Sequence, residues 1–176
     1  MITKFILKNY IPLMTKGVSY VELTLKDVIN ILLGKNGHGK TRILAELNEF
    51  PPSNQDYDKD GYKYVECTHN NKHYVLESFT GKSSKHSFKC LEGKEYVEHN
   101  PGGTQKVQTE LVKRFFGLTP SINAALSALR ENDRFTAMSP LQRKDILMEL
   151  CPNDTNYALT TYNKMKQALN DTIGVS

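Results

Sequence analysis

Gly34-Lys35-Asn36-Gly37-His38-Gly39-Lys40-Thr41 fits the phosphate-loop pattern of Gly, four residues, then Gly-Lys-Ser/Thr. The apolar run Val28 to Leu33 leads into it, and Arg42-Ile43-Leu44-Ala45-Glu46-Leu47 leads out with helical spacing. That is the strand-loop-helix context the pattern requires. In such a loop Gly34, Gly37 and Gly39 permit tight turns and aim successive backbone N–H groups at phosphate oxygens. Lys40 reaches the β and γ phosphates of a nucleoside triphosphate, and the Thr41 hydroxyl faces a magnesium ion, which prefers oxygen ligands. The candidate nucleotide-binding residues are therefore Asn36, Gly37, His38, Gly39, Lys40, Thr41 and Arg42, with Lys40 the candidate catalytic residue and Thr41 the candidate metal ligand.

Working outward, 176 residues allow one ordinary domain with a proper core. Hydrophobic residues at 39% and charged residues at 24% describe a soluble chain rather than a membrane or disordered one. The net charge of +4 permits a nucleic-acid partner without requiring one. Cys67, Cys90 and Cys151 are an odd number with no Cys-x-x-Cys pair, and read as reduced thiols in a cytoplasm. No apolar run approaches 18 residues, and Met1-Ile2-Thr3-Lys4 opens a strand rather than a signal peptide, so neither membrane insertion nor export is expected.

Ile2 to Tyr10 and Val18 to Leu25 carry strand patterns, with Pro12 and Gly17 in the turn region between them. Val28 to Leu33, nearly all apolar, is predicted to be a third strand buried on both faces. The helix from Lys40 must end before Pro51-Pro52. Two hairpins follow: Tyr62 to Thr68 with His73 to Phe79, and Ser87 to Leu91 with Tyr96 to Glu98 around Glu92-Gly93. They are expected to form an antiparallel sheet added to the nucleotide-binding core. Thr104 is placed to cap a helix whose apolar face is Val107, Leu111, Val112, Phe115 and Phe116, with Gly117 ending it. Helical stretches are predicted at Ile122 to Leu129 and from Ser139-Pro140 to Leu150. Leu159, Tyr162, Lys166, Leu169 and Ile173 recur at steps of three and four, the spacing of a coiled-coil seam and also of an amphipathic surface helix.

A phosphate loop binds; hydrolysis needs an apolar strand ending in an acidic residue and a group that orients water. Val75-Leu76-Glu77 is the nearest approach, and Glu22 is weaker still.

Phe5-Ile6-Leu7-Lys8-Asn9-Tyr10, then Ile29 to Leu33, then Gly-x-Asn-Gly-x-Gly-Lys-Thr resemble the N-terminal ATPase lobe of SbcC-type double-strand-break repair proteins and their chromosome-maintenance (SMC-like) relatives, with Asn36 before Gly37 narrowing the match. Phe135 to Leu147 is similar to the stretch after that family's Gln-bearing loop, and the nearest branch is the recombination endonuclease ATPase subunit of tailed bacteriophages. The resemblance implies an α/β fold: the N-terminal lobe of a P-loop NTPase head over residues 1–154, and the start of a coiled-coil arm over residues 155–176. It implies ATP and Mg2+ as cofactors. The implied partners are the protein's own C-terminal ATPase lobe, a second head in a homodimer, an SbcD-type nuclease subunit and double-stranded DNA, in the cytoplasm of a bacterial host. It further implies that the catalytic carboxylates and the signature loop belong to the C-terminal lobe, so that this chain alone does not turn ATP over. Asn100-Pro101-Gly102-Gly103-Thr104-Gln105 superficially resembles that signature, but lies in the other half and reads as a helix-capping loop. Two departures stand: Ile11-Pro12 occupies the place of an Arg, and the magnesium-facing Gln falls at about Glu131 or Asn132. The alternative is a stand-alone phosphotransferase such as a nucleotide kinase, which needs an Arg-rich lid; the Arg residues are Arg42, Arg114, Arg130, Arg134 and Arg143. The lysines and histidine at Lys82, Lys85, His86 and Lys89 offer a basic hairpin for DNA phosphates, or a solvated tip.

Overall fold

The computed structural model describes residues 1–26, 29–81, 83–127, 135–150 and 160–168. The chain divides into two units, Met1–Asn123 and Ala124–Ser176.

The first unit is mixed α/β, built on one six-stranded antiparallel sheet of order β2-β1-β3-β4-β5-β6. Its strands are β1 (Ile2–Tyr10), β2 (Tyr20–Thr24), β3 (Tyr57–His69), β4 (Lys72–Thr80), β5 (Lys85–Glu92) and β6 (Glu95–Glu98). Both predicted hairpins form. Asn70 and Asn71 turn the first with left-handed backbone, φ 48° and 60°, the geometry a two-residue turn needs to follow the strand twist. Gly93, φ 67°, opens the second.

Between the irregularities of β1 at Ile2/Lys4 and Lys8/Tyr10, side chains alternate across this sheet. On the inner face Leu23, Phe5, Val65, Leu76 and Phe88 line up across five strands, and four of them are almost fully buried. The next row runs Val21, Leu7, Lys63, Ser78, His86. Three helices cover parts of this face. They are α1 (Ile11–Met14), which buries Leu13, α2 (Lys40–Glu46), which buries Ile43, and α3 (Gln105–Phe116), which brings Val112, Phe115 and Phe116. The outer face is a lattice of tyrosines and ion pairs, including Lys4–Glu22 at 2.8 Å and Lys89–Glu77 at 2.8 Å.

Thr104 caps α3 as expected, accepting from the Val107 N–H, and Gly117 ends it in left-handed conformation. The face that α3 buries differs from the expected one: Val107 is 41% exposed, and Gln108 is inside. Gln108 is tolerated there because its amide is spent, donating to the Ser87 carbonyl at 3.0 Å and accepting from Asn100 at 3.2 Å.

Residues 29–33 are a correction. They form no strand, and Ile29, Ile31 and Leu33 are 79%, 77% and 85% exposed. A strand buried on both faces needs a neighbour on each side. The sheet ends at β2 and β6, and neither edge takes this segment. The antiparallel sheet is also not an addition to a separate core: β1 and β2 belong to it.

Beyond α3 lies α4 (Pro120–Leu126). In the second unit α5 (Pro140–Leu150) starts where predicted, with Ser139 and Gln142 capping reciprocally: the Ser139 N–H donates to Gln142 Oε1 and the Gln142 N–H to Ser139 Oγ. Residues 160–168 are helical, with Tyr162 exposed; Leu159, Leu169 and Ile173 lie outside the described residues, as do Glu131 and Asn132. No helix of the described residues is long and apolar enough to cross a membrane.

Candidate nucleotide site

The loop from Gly34 to Thr41 closes on itself at its entry and runs into α2 at its exit. At its entry the Lys40 ammonium donates to the carbonyls of Gly34 at 2.6 Å and Lys35 at 2.9 Å, closing the loop on itself. At its exit Gly39, φ 85°, is the N-cap of α2, and its carbonyl accepts from both Arg42 and Ile43 N–H. The amides of Lys40 and Thr41 stand ahead of that helical ladder. Gly37, φ 81°, supplies the other left-handed turn. Gly34 has no such φ, and a Cβ there meets Lys40 carbons only at 3.8–4.0 Å, so the loop's shape rests on Gly37 and Gly39.

The far end of α2 is anchored to β3. Glu46 accepts from Tyr57 Oη at 3.2 Å and from Lys63 Nζ at 3.4 Å. Lys63 is fully buried in the middle of the inner face, and its remaining donors go to Asn48 Oδ1 at 3.1 Å and the Phe50 carbonyl at 2.9 Å. Burial pushes the Lys63 ammonium below its ordinary pKa, and Glu46 opposes that. Three acceptors around one ammonium are what make a buried lysine tolerable here.

A cavity of about 640 Å³ opens over the loop, lined by Asn36, Gly37, Gly39, Lys40, Thr41 and Arg42. Six of the seven residues read from the motif therefore line the cavity; His38 is exposed and is not among its lining residues. Pro12, Thr15 and Lys16, which no motif marks, complete the lining. They arrive there because β1 ends in a bulge at Asn9, whose backbone is left-handed (φ 54°) and whose amide donates to the Lys59 carbonyl at 2.8 Å. The chain then turns through α1 and Gly17, φ 77°, and Lys16 in that turn lines the cavity. No motif in the sequence marks Lys16; the bulge and the turn after it bring it to the cavity.

The cavity thus combines cations and hydroxyls, Lys16, Lys40, Arg42, Thr15 and Thr41, around a glycine-turned backbone, a donor set suited to a polyphosphate and a hard cation. Glu77 and Glu22, the nearest approaches to a catalytic carboxylate, are on the other face of the sheet. There Glu77 accepts from Tyr62 at 2.8 Å and from Lys89 at 2.8 Å, and Glu22 from Lys4 at 2.8 Å and Tyr20 at 2.7 Å. Neither faces the loop. The basic hairpin also dissolves as a set. His86 is buried against Ser78 on the inner face, Lys89 is paired with Glu77, and Lys85 remains exposed; Lys82 lies outside the described residues. No protein-family model matches this chain, and no curated protein matches it at a significant level.

Proposed function

We propose that the chain is the N-terminal lobe of an ATP-binding head of an SbcC-type DNA repair and recombination ATPase. The observation that carries the reading is the cavity over Gly34–Thr41, with Lys40, Thr41 and the Gly37 and Gly39 turns in its lining. ATP fits that donor set. Lys40 and the loop amides would hold the phosphates, Thr41 would offer its hydroxyl to magnesium, and Arg42 and Lys16 would flank the charge. Magnesium supplies neutralisation of the phosphate charge when bound. Lys40, already directed along the loop by two carbonyls, exchanges these for phosphate oxygens. Completing carboxylates would come from the C-terminal lobe and a second head, with an SbcD-type nuclease and double-stranded DNA as the further partners.

Binding of a fluorescent ATP analogue with magnesium, measured on the full chain, tests this. Lys40→Ala is expected to weaken binding by about tenfold or more, the worth of charge-assisted bonds to phosphate. Unchanged affinity would remove the loop from the site. ATP turnover is expected only when the C-terminal lobe is added; phosphorylation of nucleoside monophosphates by this chain alone would instead support the phosphotransferase alternative.

A further inference from the structure

At the β5–β6 edge of the sheet, away from the loop in sequence and in chemistry, a thiol, a carboxylate and an imidazole converge. Cys90 and Glu92 are two apart on β5 and so share a face; Cys90 is buried and Glu92, at the strand's end, is exposed. His99 follows β6 and is fixed beside them. Its backbone N–H donates to the Phe88 carbonyl at 2.8 Å, and its ring lies against Phe115 at 5.2 Å and edge-on to Phe88 at 6.3 Å. The ligand atoms of Cys90, Glu92 and His99 all lie within 4.8 Å of one another.

Ordinary packing leaves one feature of this cluster unaccounted for. The Nε2 atom of His99 is buried without a hydrogen-bond partner, and its nearest acidic neighbour is Glu92 Oε1 at 3.5 Å. A buried ring nitrogen in that position carries a desolvation cost that a bond would recover. The Cys90 sulfur donates only a long bond, 3.8 Å, to the Leu91 carbonyl and meets the Tyr74 side chain across the sheet, neither of which blocks a metal ion. Both atoms are zinc-type donors, and both lie within 4.8 Å of the Glu92 carboxylate.

We propose that Cys90, Glu92 and His99 form a site for a divalent transition metal of the zinc class, with three protein ligands and a fourth position open to solvent. One sulfur, one imidazole nitrogen and one carboxylate oxygen are the borderline-soft mixture that selects zinc over magnesium or calcium. Ligand atoms in a tetrahedral zinc site sit about 3.5 Å apart, so closing the cluster asks for a shift of about an ångström. Glu92, half in solvent, is free to make it. Glu92 and His99 have side-chain exposures of 53% and 25%, which puts the mouth of the site at the surface and the thiol at its base. Coordination replaces the Cys90 S–H bond with a sulfur–metal bond and releases one proton to solvent. The consequence is mechanical: the metal ties the last turn of β5 to the segment after β6, closing an edge hairpin whose outer strand is exposed along its length.

Cobalt(II) titration of the full chain, followed by zinc competition, tests the site independently of nucleotide binding. The expected result is a thiolate-to-cobalt charge-transfer band that saturates at one ion per chain, is erased by zinc, and is absent in Cys90→Ser. Because Cys90 is buried and its replacement could disturb folding, Glu92→Gln and His99→Gln carry equal weight. Each is expected to weaken zinc by about tenfold or more. Absence of the band in the native chain, its persistence in Cys90→Ser, or unchanged zinc affinity in both Glu92→Gln and His99→Gln would overturn the proposal.

Discussion

Gly39 carries two constraints that act on different atoms. Its φ of 85° is a conformation L side chains rarely adopt, and a Cβ built on it collides with the side chain of Leu13. Leu13 is itself almost fully buried and belongs to the core beneath α1, so it has little room to yield. Gly37 shares the left-handed φ but faces open space. The two glycines therefore separate backbone strain from packing. Gly39→Ala is expected to lower stability by about 2–3 kcal/mol, and Gly37→Ala by about 1 kcal/mol, the cost of left-handed backbone alone. Urea unfolding followed by circular dichroism would measure both. Equal losses at the two positions would mean that the Leu13 contact contributes nothing. The motif in the sequence already singled out both glycines, but the difference between them was not legible there, because Leu13 lies 26 residues upstream.

At the scale of elements, local chemistry that is complete within a few residues was readable. The Asn70-Asn71 turn, the Thr104 and Ser139 caps and the Gly117 stop each satisfy their own backbone groups from neighbours in sequence, and each stands where the residues place it. Elements that depend on a distant partner were not readable. The apolar run before the loop has the composition of a buried strand, yet composition cannot say which strand would pair with it. The α3 face was misjudged at Val107 for the same reason: Gln108 is buried because Ser87 and Asn100 meet its amide, and neither is visible from helical spacing. In the candidate site the motif residues were legible and Lys16 was not, since a bulge at Asn9 delivers it. A prediction belongs at this scale. With Ile31 77% exposed and Leu33 85% exposed, Ile31→Ser and Leu33→Ser should each shift the stability of this chain by no more than about 0.5 kcal/mol. A loss of about 2 kcal/mol or more in chemical denaturation would instead mean that the segment packs as a core element in solution.

Across the whole first unit, tyrosines on both faces of the sheet hold their protons more tightly than in the unfolded chain, and that shared direction has a sign in pH. Tyr10 and Tyr57 are buried on the inner side, their rings 5.1 Å apart, while Tyr62 and Tyr64 are half-buried on the outer face among carboxylates. Burial, then the neighbouring Glu46, pushes Tyr10 up to about 12; burial, then Glu66, pushes Tyr64 up to about 12. Tyr57 and Tyr62 move in the same direction, by burial first and then through Glu46 and Glu77 respectively. The Cys67 thiol is pushed up to about 12, chiefly by burial. Each of these groups holds its proton more tightly in the fold than in the unfolded chain, so the native state binds more protons through the interval between the two pKa values. Stability from them is fully present below the unfolded values of 9.0 for the thiol and 10.0 for the phenols, and is lost as pH rises toward about 12. Lys63 has the opposite sign: its folded pKa is lowered from 10.5 by burial, so its contribution improves as pH rises toward 10.5. One lysine opposes four phenols and a thiol, and the net expectation is alkaline unfolding. The melting temperature should decline from about pH 9 and fall steeply by about pH 12. Tyr10→Phe keeps the ring packed against Tyr57 and removes one ionisation, so its decline above about pH 10 should be shallower than that of the native chain. A melting temperature that stayed level over this range, or a Tyr10→Phe profile parallel to the native one, would show that the sheet does not hold these protons.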